Sequence, residues 1–73
     1  MTINFSELIP TEQKQAMLEQ RIAQLALEGY QHTLNLQAAE AAENNEIIES
    51  TNAAIAIITV AIEVAQTELE TLG

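Results

Sequence analysis

The chain has 73 residues and a formal net charge of -9, with eleven Glu, no Asp, one Lys and one Arg. Neutralising phosphates takes clustered cations, so Lys14 and Arg21 alone argue against a nucleic-acid partner and against anionic membrane surfaces. Without Cys there is no disulfide, thiolate nucleophile or Cys-based zinc site, and a chain this short usually needs a disulfide, a metal or a partner subunit to be firmly stable.

The elements follow in chain order within one expected domain, 1–73. The entry segment, 1–10, carries one acid, no base and no long apolar run, so no secretory peptide is expected and the mature chain is expected to begin at Met1. Within it Asn4, followed three residues later by Glu7, resembles a capping box for a single helical turn that ends before Pro10. Thr11 then caps a first helix over 11–43, rich in Gln, Glu, Ala, Leu and Met. Its weak point is Gly29, which costs about 1 kcal/mol relative to Ala in a helix interior and could bend the helix there. Asn44 and Asn45 are expected to close this helix and open the next, since Asn accepts the left-handed conformation and also serves as an N-cap.

The second helix is expected over 46–72, with Glu46 and Glu49 favoured in its first turns by the helix dipole and Gly73 as its terminus. Its β-branched run of Ile55, Ile57, Ile58, Thr59, Val60, Ile62 and Val64 makes a strand the alternative. The interspersed Ala53, Ala54, Ala56, Ala61 and Ala65, and a length beyond that of ordinary strands, favour the helix. The apolar run from Ala53 to Ala65 would span ~20 Å as a helix against a hydrocarbon core of ~30 Å. Thr59 and Glu63 interrupt it, so no membrane crossing is expected.

Hydrophobic periodicity then sets the architecture. Leu18, Ile22, Leu25, Gly29, His32, Leu36 and Ala39 alternate spacings of four and three and form one face of the first helix. Ala16, Ala23, Leu27, Tyr30, Leu34 and Ala41 form a second stripe on nearly the opposite side. The second helix repeats the pattern, with Ile48, Thr51, Ile55, Ile58, Ile62, Ala65 and Leu69 on one face and Ala53, Ile57, Val60 and Val64 on another. A hairpin gives each helix only one neighbour, so two stripes per helix imply further contacts. The expected fold is all-α, a two-helix antiparallel hairpin that assembles into a multi-helix bundle. The residues expected at the interface between copies are Leu18, Ile22, Leu25, Leu27, Tyr30, Leu34, Ile55, Ile57, Ile58, Val60, Ile62 and Val64. A heterologous partner covering the same surface is the alternative.

Catalytic chemistry finds little support. Glu28 and His32 share the spacing of a two-ligand helical site, but structural zinc wants four ligands and only oligomerisation could complete the set. His32 therefore reads as a residue of the seam or its rim, able to make assembly depend on pH if it faces its symmetry mate or the Glu-rich surface. Glu40, Glu43, Glu46 and Glu49 gather around the Asn44–Asn45 turn without the Gly-punctuated loop of a calcium site or a visible pocket for acid–base work, and form a solvated acidic tip. That tip is also a candidate contact for a basic partner surface. Lys14 and Arg21 read as surface ion contacts. Phe5, with Ile3, Leu8 and Ile9, reads as an apolar plug at the bundle end, or else as an anchor that docks on a partner. Tyr30 reads as packing, with its hydroxyl reaching solvent. No catalytic residue, metal or cofactor is expected, and the protein is not expected to be an enzyme.

The stretch from Phe5 through Ser6, Glu7, Leu8, Ile9, Pro10, Thr11, Glu12 and Gln13 to Lys14, continued by Leu18 to Leu25 and Glu28 to His32, resembles small acidic proteins encoded by marine tailed phages, especially those of cyanobacteria. The resemblance covers about half the chain. It implies a small, non-enzymatic viral protein made inside a bacterial host, in the host cytoplasm or the virion. Its role would be that of a virion accessory part, an assembly factor or a binder of a host protein.

Overall fold

The computed structural model describes residues 2–72; the expectations placed on Met1 and Gly73 fall outside them. A short 3₁₀ turn, Phe5–Leu8, precedes two long helices, α1 (Thr11–Ala41) and α2 (Asn45–Leu72), and the described residues contain no strand. The strand alternative for the Ile/Val run is therefore set aside. Ile and Val each cost a helix only a few tenths of a kcal/mol relative to Leu, and spacing of three and four gives one continuous buried face only on a helix. The hydroxyls of Thr33, Thr59 and Thr67 donate back to the carbonyls four residues earlier, at 2.8–2.9 Å, so these β-branched residues satisfy themselves inside the helices.

Each terminus has a local cause. The Asn4 side chain accepts from the Ser6 N–H at 3.1 Å, capping the 3₁₀ turn, and Ile9 is extended as a residue before proline should be. Thr11 does not cap α1. It is the first helical residue, and Pro10 occupies the cap position with no side-chain bond, its carbonyl accepting from the Lys14 N–H at 3.0 Å. Proline's fixed φ suits a position that flanks a helix, which leaves Thr11 free to enter the helical ladder. Gly29 lies within an uninterrupted α1.

The turn corrects a second expectation. The helix bounds move from 43 to Ala41 and from 46 to Asn45, and the residue with positive φ is Glu43, at 56°, rather than either Asn. The Asn44 N–H donates to the Ala39 carbonyl at 2.9 Å and the Glu43 N–H to the Glu40 carbonyl at 3.1 Å, the two bonds of a Schellman motif. Asn44 is thus the residue after the left-handed one. Its side chain accepts from the Ile47 N–H at 3.3 Å and its carbonyl from the Ile48 N–H at 3.0 Å, so it opens α2. One three-residue link ends one helix and caps the next, and the single residue it twists against its preference is a glutamate. Replacing Glu43 with Gly is expected to raise stability by about 1 kcal/mol, since only glycine enters this conformation without a Cβ penalty. Urea unfolding followed by circular dichroism measures it.

The fold-back produces an antiparallel hairpin with principal extents of 50 × 26 × 14 Å. A Cβ built on Gly29 would meet Ile58 Cγ2 at 3.5 Å, so Gly29 and Ile58 face each other across the hairpin and give its register. Residues equally far from the turn then stand level: Leu18 with Leu69, Ile22 with Ala65, Leu25 with Ile62, His32 with Ile55, Leu36 with Thr51 and Ala39 with Ile48. Small residues repeatedly oppose large ones, which lets the helices approach closely and interlock. Burial follows this rule. The only buried residues among those described are the small members, Ala39, Thr51 and Ala65, which keep 3–7% exposure, while their large partners are half-buried. No large side chain among the described residues is completely enclosed.

Candidate interaction surface

The face expected to form the seam of α1, from Leu18 to Ala39, is half-buried or buried at every position, and so is the matching face of α2 from Ile48 to Leu69. The twelve residues expected between copies therefore divide into two sets. Leu18, Ile22, Leu25, Ile55, Ile58 and Ile62 line the contact within one hairpin. Leu27, Tyr30, Leu34, Ile57, Val60 and Val64 are exposed, Ile57 to 70% and Tyr30 to 61%. The spacing of three and four is identical in both sets, which is why the sequence pattern alone assigns all twelve alike.

At 100° per residue the exposed residues of each helix stand roughly 160° from its seam, so the hairpin carries an apolar stripe along each outer edge. The two edges differ in width. On α2 the apolar arc over the middle turns runs from the seam through half-buried Ala54 and Ala61 to Ile57, Val60 and Val64, bordered by Asn52, Thr59 and Glu63 and ended along the helix by Ser50 on one side and Thr67 and Glu68 on the other. On α1, Leu27, Tyr30 and Leu34 are bordered by Glu19, Gln20, Gln31 and Gln37. The α2 edge is thus the broader apolar surface, joined without a polar break to the groove between the helices.

A compact protein of 8.0 kDa exposes about 4,450 Å², whereas this chain exposes 5770 Å², a surplus of about 1,300 Å². One partner in a standard interface contributes ~800 Å². Elongation accounts for part of the surplus, and Ile57, Val60 and Val64, each more than half exposed, leave apolar surface in water at a cost of ~25 cal/mol per Å².

The remaining candidates lie at the ends. Glu40, Glu43, Glu46 and Glu49 are all exposed around the turn and form an acidic tip. Lys14 and Arg21 line a groove at the open end together with Ile9, Met17, Leu18 and Leu72. Phe5 does not plug anything within the hairpin. It is 70% exposed, like Leu8, because a 3₁₀ turn places residues three apart on one side, and only Ile9 of this segment is half-covered. His32 is half-buried in the seam, level with Ile55, and lines the groove near the tip with Asn35, Ala38 and Thr51. Among the described residues no three His or Glu side chains converge in a metal-binding group.

One finding revises the estimate made from the uninterrupted apolar run. The whole of α2, Asn45–Leu72, is long and apolar enough to cross a membrane by length and composition, with a mean hydropathy of 1.7 over its most apolar window. The short run from Ala53 to Ala65 understates it because Ile47 and Ile48 extend the apolar stretch beyond Glu49. No family model matches the chain, and neither a curated protein nor a solved structure matches it.

Proposed function

We propose that the protein is a non-enzymatic component that acts through protein–protein contacts, its hairpins self-associating into a multi-helix bundle. The observation that carries this reading is the exposed row Ile57, Val60 and Val64 on the most apolar helix of the chain. A side chain such as Ile gains about 1.5–3 kcal/mol on leaving water, so a few of them on each of two copies outweigh a substantial part of the cost of association. The resemblance of residues 5–32 to small acidic phage proteins supplies a setting: a structural or assembly part of a virus, in the virion or the host cytoplasm. A second reading, a binder that modulates a host protein, is favoured by the exposure of Phe5 and Leu8 outside both apolar edges.

Light scattering on a sizing column over a concentration series tests the first reading. A discrete multiple of 8.0 kDa, unchanged in Phe5→Ala, supports it. A monomer at every concentration overturns it, and so does flotation of the protein with lipid vesicles, which would make α2 a membrane segment.

A further inference from the structure

We infer that the entry segment is a strap with two seatings on the hairpin: an open one, with Phe5 and Leu8 turned outward as described above, and a closed one in which the same two side chains lie in the groove at the open end. Such a strap works within one chain and stands whether or not copies associate. Where the second reading above holds, closing the strap withdraws the residues that would anchor a partner.

The geometry of the 3₁₀ turn is the first reason. With three residues per turn, Phe5 and Leu8 share one side. Ser6 and Ile9 take the side that lines the groove, next to Met17, Leu18 and Leu72, while Phe5 and Leu8 are each 70% exposed. The open seating thus sets a serine against an apolar groove and an aromatic ring in water. A rotation of the turn by one residue position, about 120°, exchanges the two sides. The link that would rotate is Leu8 to Ile9, where the turn ends and the backbone becomes extended, at φ -112° and ψ 129° for Ile9. Ile9 and Pro10 stay in place, so α1 keeps its start.

Attachment is the second reason. The turn is held by its own bonds, from the Ser6 N–H to the Asn4 side chain and from the Glu7 N–H to the Asn4 carbonyl, both at 3.1 Å. Among the described residues no hydrogen bond joins it to either helix, and it contains no buried residue. These local bonds travel with the turn as it rotates, so the exchange of sides leaves them intact. The groove offers about 500 Å³, within the range of clefts that enclose small ligands, ~300–1,000 Å³. Its apolar wall includes Met17, whose unbranched thioether adapts to an aromatic ring and attracts it. Removing Phe5 and Leu8 from water drives the closure, and the groove beside them is the nearest apolar surface of the chain.

Nuclear Overhauser contacts of the unaltered protein test it. Phe5 is the sole Phe, so its ring protons are unambiguous. The closed seating is expected to give cross-peaks from this ring to the methyl groups of Met17 and Leu72, with intensities unchanged on dilution. Met17→Glu, at a position already 53% exposed, is expected to reduce those to Leu72 several-fold while circular dichroism stays constant. Phe5→Trp gives a second readout in a chain without other Trp: acrylamide should quench its emission several-fold less in the folded chain than in urea. Absence of the ring cross-peaks while those between Leu25 and Ile62 are present overturns the strap, as does equal quenching in the two states. Cross-peaks that fade on dilution overturn it too, because the ring would then sit in the groove of another copy.

Discussion

Ile57→Glu is expected to reduce the assembled mass to 8.0 kDa at concentrations where the unaltered chain is oligomeric, weakening association at least ~100-fold. At 70% exposure the side chain contributes little to the hairpin itself, so the new carboxylate is hydrated in the monomer and buried only in the assembly. Stripping water from an unpaired carboxylate costs several kcal/mol, and a single twofold contact carries that cost twice. Light scattering reads the outcome directly. An unchanged mass would show that the α2 edge is not the contact surface.

Ile62→Glu separates fold from assembly. Ile62 is on the seam, level with Leu25, and is already half-buried in one chain. Placing a carboxylate there removes apolar contact and sets a charge beside Leu25 and Ile58, for a loss of about 3 kcal/mol or more. A hairpin whose buried side chains, among the described residues, are two alanines and a threonine has little stability to spare. Far-UV circular dichroism should therefore show loss of helix for Ile62→Glu under conditions where Ile57→Glu retains more of it. Equal helix content in the two variants would mean that the exposed and seam positions are not distinct in solution.

Helix type, helix number and the two stripes of each helix were legible in the sequence, because spacings of three and four recur over long stretches and Asn44 is a strong cap. The seam faces were legible position by position, from Leu18 to Ala39 and from Ile48 to Leu69. Which stripe would be internal was not. Leu27 and Leu25 are chemically identical, and what separates them is the register between helices, set by Gly29 against Ile58 and by the length of the turn. The left-handed residue was misplaced for a related reason. Intrinsic preference points to Asn44, but the Schellman bonds to Ala39 and Glu40 close only if the preceding residue takes the positive φ, and Asn44 contributes more as the cap of α2. Phe5 reads from the sequence either as a plug at the bundle end or as an anchor for a partner, and the 3₁₀ turn that exposes it in the single hairpin is too short for a periodic signal.

The tight link at Ala42 to Asn44 also bears on how the chain acquires its structure. Ala39 and Ile48, the level pair nearest the turn, are close in sequence, so the entropy lost in closing the loop between them is small. Each later layer closes upon one already formed, which makes the hairpin a zipper that starts at the tip and ends where Leu18 meets Leu69. Contacts this local place folding in the microsecond-to-millisecond range of helical proteins. On the ribosome, however, α1 is complete before any of α2 exists. Until the turn emerges, its leucines have no mate in their own chain, and docking begins as soon as Ile48 can reach Ala39.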